Sequence, residues 1–111
     1  MNSGKKYGLD RRDNTLHVSE KQIERKLVAA VRRAGGFAPK FVSPGWDGVP
    51  DRILLFPGAC VGFVELKAPG KVMRPLQKRR KEQLERLGFS VYCIDSIEQA
   101  EVVIASVKGR R

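Results

Sequence analysis

One segment, Gly48 to Gly70 (GVPDRILLFPGACVGFVELKAPG), limits what this chain can fold into more than any other. It holds two short apolar runs, Arg52 to Phe56 and Val61 to Leu66, separated only by a turn around Pro57-Gly58. Strands joined by so few residues can pair only as an antiparallel hairpin. Such a hairpin brings Asp51, at the mouth of the first strand, and Glu65, near the end of the second, to the same open end. Lys67 lies two residues beyond Glu65 and so shares its face. The turn does not fix the register.

Around the hairpin the pattern alternates between helical and strand periods. Ser19 with Gln22 makes a capping box, followed by Ile23, Leu27, Val31 and Ala34 at helical spacing up to Gly35-Gly36. Phe37 to Val42 reads as a short strand, and SPGWDGVP as a turn-rich loop. A loop from Ala68 to Pro75 leads to a helix over Leu76 to Leu87, closed by Gly88. Val91 to Ile94 is a strand, and Ser96 caps a last helix whose inward face is Ile97, Ala100, Val103, Ile104 and Val107. Strand, helix, strand implies a parallel crossover. The expected class is therefore α/β, in the order α-β-β-β-α-β-α, with a mixed sheet flanked by helices.

The 111 residues suit one domain, expected over residues 19–107, with a flexible basic arm at 1–18 and a basic tail at 108–111. The N-terminal residues carry no apolar stretch of the secretory kind, and no run approaches a membrane span, so a cytoplasmic protein with no membrane partner is expected. Cys60 and Cys93 both sit in apolar runs and read as buried thiols of a reducing compartment. With one histidine and no close cysteine pair, no structural zinc site is expected. The net charge of +10 points to a polyanion, most often nucleic acid.

Two neighbouring carboxylates repel unless a cation lies between them, and a hard divalent ion such as Mg2+ (or Mn2+) takes oxygen ligands of this kind. Held between acids and a phosphate, such an ion polarises a phosphodiester and lowers the pKa of an attacking water, while a lysine orients that water or offsets charge on the phosphate. The plainer alternative is that Asp51 caps a turn and Glu65 and Lys67 form a surface pair.

The acids and the lysine, D-(x)13-E-L-K after a helix carrying glutamates, resemble the PD-(D/E)XK restriction-endonuclease-like nucleases. SEKQIERKLVAAVRRAGG, GVPDRI, FVELKAPG and the glutamine of LQKRRKEQLERLG together resemble the VRR-NUC (virus-type replication-repair nuclease) domain, most closely its stand-alone phage-type members, over residues 19–105. The resemblance implies a metal held by Asp51, Glu65 and the carbonyl of Leu66, a catalytic Lys67, and a turn at Gly48, Val49 and Pro50 that delivers Asp51. Glu20 and Glu24 both fall on the apolar face of the first helix at 100° per residue. An acid in the first turn suits the helix dipole, which accounts for Glu20. Glu24 lies one turn deeper, its spacing resembles that of archaeal Holliday-junction resolvases, and it is the expected further metal ligand. Gln77 shares the inward face of Leu84, where its amide could fix the lysine or a metal-bound water, or could equally bond backbone at the helix start.

Lys71, Arg74, Lys78, Arg79, Arg80 and Lys81 are the expected phosphate contacts, opposed nearby only by Glu82 and Glu85. Trp46 could stack on a base or pack on the protein. The resemblance points to an endonuclease acting on DNA, branched DNA such as Holliday junctions being favoured, and to a homodimer with Trp46, Phe41 and Val42 as candidate interface residues. The alternatives are a monomeric nicking or flap nuclease and a non-catalytic nucleic-acid-binding module.

Overall fold

A computed structural model describes residues 18–109. Six elements follow in the order α-β-β-α-β-α: α1 (Glu20–Arg33), β1 (Arg52–Phe56), β2 (Cys60–Leu66), α2 (Pro75–Arg86), β3 (Ser90–Ile94) and α3 (Gln99–Lys108). The basic arm expected over 1–18 lies outside the described residues apart from Val18, which is partly buried against the core. Of the expected tail, Lys108 closes α3 and Gly109 caps it. Among the described residues no helix is long and apolar enough to cross a membrane.

The sheet order is β1-β2-β3, with β1 antiparallel and β3 parallel to the central β2. The hairpin pairs Phe56 with Cys60 and Arg52 with Val64, a register that sets Asp51 opposite Glu65 one residue further on. The turn needs left-handed backbone at Gly58 and Ala59.

Alternation along the strands divides two cores. Leu54, Phe56, Val64, Leu66 and Ile94 pack against α1 and α3 in the larger one. Phe63 and Val91 pack with Leu84 of α2 in the smaller, which Ile53, Val61, Phe41 and Trp46 extend. Gly62 lets α3 approach β2 closely, since a Cβ there would lie 2.6 Å from Val107. The capping box of α1 forms as its sequence predicts: Gln22 N–H donates to Ser19 Oγ (3.1 Å) and Ser19 N–H to Gln22 Oε1 (2.8 Å).

Three expectations are corrected. Phe37 to Val42 is not a strand but runs antiparallel beside β1 through two isolated bridges, Phe37 with Leu55 and Lys40 with Arg52. Pro39 explains the interruption: its carbonyl accepts from Ile53 N–H (3.0 Å), but it has no N–H to return. Ser96 does not cap α3, which begins at Gln99; the Gln99 amide oxygen instead accepts from the N–H groups of Asp95 and Ser96. Cys60 is buried, whereas Cys93 is exposed, since among the described residues no strand lies outside β3.

Candidate metal centre

The hairpin register carries Asp51 and Glu65 across from each other, and hydrogen bonds finish the arrangement. Asp51 Oδ2 accepts from the backbone N–H of Leu66 at 2.8 Å, which ties the acid loop to the end of β2. Phe41 N–H donates to the Asp51 carbonyl at 2.8 Å from the other side. Upstream, Gly48 adopts a positive φ and lies so close to Leu76 that a Cβ would meet its side chain at 2.7 Å. The loop before Asp51 is thus seated on the first turn of α2.

Glu65 is 2% exposed and points to the α2 side of the sheet, as its alternation with Phe63 requires. Its Oε2 accepts from Gln77 Nε2 at 2.7 Å and lies 3.1 Å from Lys67 Nζ. Its Oε1 is buried with no hydrogen-bond partner among the described residues. Burial first, and the negative charge of Asp51 second, push the Glu65 carboxyl up to about 7, against a pull downward from Lys67. Cys93, beside Glu65 in the register, is pushed up by partial burial of its thiol and then by the Glu65 charge.

Gln77 bonds backbone at the helix start, as one reading of its position expected, and its amide nitrogen binds the acid Glu65 rather than the lysine. Its Oε1 accepts from Arg74 N–H (2.9 Å), closing the start of α2, while its Nε2 holds Glu65. The structure therefore brings Asp51, Glu65, Leu66, Lys67 and Gln77 together.

Glu24 does not join them. Arg52 alternates with Asp51 and so faces the opposite, α1 side of the sheet, where its guanidinium donates to Glu24 Oε2 at 2.9 and 3.1 Å and to the Ala38 carbonyl at 2.7 Å. That pair engages Glu24 Oε2 on the α1 side. Of the two helix acids, Glu20 is the one whose charge reaches Glu65, raising its pKa further. The pairing was visible in principle: Arg52 shares parity with Leu54 and Phe56, and Glu24 shares the inward face of α1, so two opposite charges face one core.

The unpartnered Glu65 oxygen and the facing Asp51 suit a hard cation. Among the described residues no three His, Cys, Asp or Glu side chains cluster as a metal site. Two facing carboxylates fit the habit of Mg2+ to be held by one or two carboxylates and to keep waters and phosphate oxygens.

The basic residues divide. Lys71, Arg74, Lys78 and Arg79 are exposed and enter no ion pair among the described residues. Lys81 pairs with Glu85 at 2.8 Å. Arg80 is spent on the protein: it donates to the Asp47 carbonyl (2.7 Å) and Gln83 (3.0 Å) and lies 5.0 Å over the Trp46 ring. Trp46 accordingly packs on the smaller core, and Phe41 packs against Phe63 at 5.6 Å. Of the three candidate interface residues only Val42 is largely exposed.

No family model matches the chain. It is 44% identical over 88 residues to the protein named "Putative nuclease p44" of Acyrthosiphon pisum secondary endosymbiont phage 1, a match spanning 79% of this chain and 95% of that protein. A solved structure described as a VRR-NUC domain superposes with a TM-score of 0.72 at 25% identity, covering 78% of this chain and 94% of that one.

Proposed function

The chain belongs to the VRR-NUC family, and from that premise we propose that it is a metal-dependent DNA endonuclease, selective for branched DNA such as four-way junctions and acting as a homodimer. The observation that carries the reading is the buried Glu65 oxygen with no partner, set opposite a second acid at the open end of the hairpin.

In this reading Asp51, Glu65 and the Leu66 carbonyl hold Mg2+ or Mn2+, which when bound supplies Lewis-acid polarisation of a phosphodiester and an acidified water. Glu65 serves only when ionised, so binding the cation releases the proton that burial favours. Gln77 keeps the Glu65 carboxylate turned toward Asp51. Lys67, whose side chain is only 14% exposed, sits where it can orient an attacking water or offset charge on the scissile phosphate. Glu20 replaces Glu24 as the helix acid that complements the cation. Lys71, Arg74, Lys78 and Arg79 contact the phosphates beyond the cut.

A cleavage assay on linear, flapped, forked and four-way DNA with Mg2+ or Mn2+ tests the substrate, and light scattering tests the assembly. Preferred cutting of four-way DNA by a dimer supports the proposal. A monomer that cuts flaps best would replace the substrate and assembly claims, and binding without cutting any DNA would leave a nucleic-acid-binding module.

A further inference from the structure

The pair that Glu24 forms with Arg52 sits in a groove of about 470 Å³ on the α1 side of the sheet. Five cations line it, Lys21, Arg25 and Arg32 from α1 with Lys40 and Arg52, against the single acid Glu24. Arg52 neutralises that acid at 2.9 Å, with both side chains mostly buried. The other four cations are exposed and enter no ion pair among the described residues. Nothing in the proposed cutting site uses them.

Their arrangement is linear. Lys21, Arg25 and Arg32 recur four and seven residues apart and so form one stripe along α1, about 16 Å long at ~1.5 Å per residue. Lys40 faces the stripe from across the groove, on the segment bridged to Arg52. A small anion would use one or two of these charges, whereas a nucleic-acid backbone presents a phosphate every ~3.4 Å per strand and can use all four. The groove also opens beside the start of β1, where Arg52 directly follows Asp51.

We propose that this groove is a second DNA-binding tract, which grips the phosphate backbone of a duplex arm on the face of the sheet away from the acids. It rests on the nuclease reading for the identity of the polyanion. With α2 on the other side, the Asp51 end of the hairpin then lies between two basic surfaces, so that DNA leaving the cut meets protein on both. Glu24 fixes Arg52 against the Ala38 carbonyl and so shapes the groove.

The test compares two charge-reversed variants of the full chain. Lys21→Glu/Arg25→Glu/Lys40→Glu alters the groove, and Lys26→Glu/Arg33→Glu/Lys108→Glu makes the same change of net charge outside it. Binding of a fluorescent four-way junction is followed by anisotropy between about 50 and 200 mM KCl, with Ca2+ in place of Mg2+; at ~0.9 per lost phosphate contact, the groove variant should lower the slope of log K against log salt by about 2 to 3. Its affinity should fall at least about tenfold more than that of the control, while its cleavage rate at saturating DNA stays within about twofold of wild type. A Lys21→Gln/Arg25→Gln/Lys40→Gln variant, with a melting curve for each protein, separates lost contacts from lost folding. Equal losses in groove and control variants, or an unchanged slope, would overturn the tract. So would a well-folded groove variant that fails to cut at saturation, since the groove would then belong to the cutting site. If the wild type binds with the groove-dependent slope but cuts nothing, the tract stands and the nuclease reading falls.

Discussion

Leu54, Val64, Leu66 and Ile94 turn to one face of the sheet and meet α1 and α3; Ile53, Phe63, Glu65 and Val91 turn to the other and meet α2. The first face belongs to a cluster of fifteen buried apolar side chains, the second to one of three. Both faces carry ionisable residues at the same end of the hairpin, but they treat them differently. On the α1 side Arg52 and Glu24 satisfy each other. On the α2 side two acids face each other, and Lys67 and Gln77 together leave one Glu65 oxygen without a partner. Burying a charge without full compensation is costly, and such cost concentrates at functional sites. The large core supplies the stability that lets the small one carry it.

The largest expected effect breaks the comparison if it fails. Asp51→Ala, Glu65→Ala and Lys67→Ala should each lower the cleavage rate by at least about 10³-fold, with the fold retained by circular dichroism at the assay temperature. Glu24→Gln should cost far less activity, because its partner is Arg52. Glu20→Gln should fall between the two. Equal loss from Glu24→Gln and Glu65→Gln, measured as single-turnover rates on the same DNA, would show that the two faces do not divide the work.

Stability should show the opposite ranking. Leu54 is fully buried under α1 and α3, while its neighbour Leu55 is 39% exposed on the other side of the strand. Leu54→Ala should cost about 3 kcal/mol in chemical denaturation, within the usual range for a buried leucine. Leu55→Ala should cost less than about 1 kcal/mol. A larger loss at Leu55 would mean that its exposed side is covered in solution, as a homodimer would cover it.

The pH dependence of the metal-free protein sharpens the contrast. The Glu65 carboxyl rises from an ordinary 4.5 to about 7 in the folded chain. The folded state therefore holds a proton that the unfolded state has lost, and the stability this confers is complete below the lower value and disappears as pH rises through the upper one. The change amounts to about 3 kcal/mol between pH 4.5 and 7 at ~1.4 kcal/mol per pKa step. Thermal melts in chelator should show stability falling with pH, and saturating Mg2+ should restore it at pH 8. In Glu65→Gln both the slope and the restoration should vanish. A slope that persists there would locate the titration elsewhere.

Much of this could be read from the chain because local signals and packing agree. β1 starts and ends where the apolar run RILLF predicts, and the capping box of α1 forms as Ser19 and Gln22 predict. The meeting of Asp51 and Glu65 follows from the shortness of the turn. What could not be read depends on relations between elements. The Phe37 to Val42 strand fails at Pro39, whose missing N–H was visible but whose bonding side was not. The choice between Glu20 and Glu24 needed the parity of Arg52 set beside the helical wheel of α1, since the wheel alone places both acids on one face. Cys93 reads as buried from its apolar neighbours, but among the described residues β3 is the edge of the sheet.

Arg80 gives the smallest effect and the finest test of how the α2 side is held. By composition it belongs with Lys78 and Arg79 as a phosphate contact, but its guanidinium is committed to the Asp47 carbonyl, to Gln83 and to the Trp46 ring. Those contacts seat the loop that ends in Asp51, next to the close approach of Gly48 to Leu76. Loss of the guanidinium should let Asp51 drift relative to Glu65 without removing a ligand. Arg80→Ala should therefore lower the rate at saturating DNA by about tenfold, the range for residues that orient a ligand, with little change in DNA affinity. Arg80→Lys keeps the charge but not the planar fork, and should lose nearly as much. Lys78→Ala should do the reverse, weakening binding and lowering the salt slope by about 0.9 with the saturated rate intact. If Arg80→Ala matched Lys78→Ala in both measurements, Arg80 would leave the loop to grip DNA, and the loop would be held by the approach of Gly48 to Leu76 and by the bonds of Asp51 to Leu66 and Phe41.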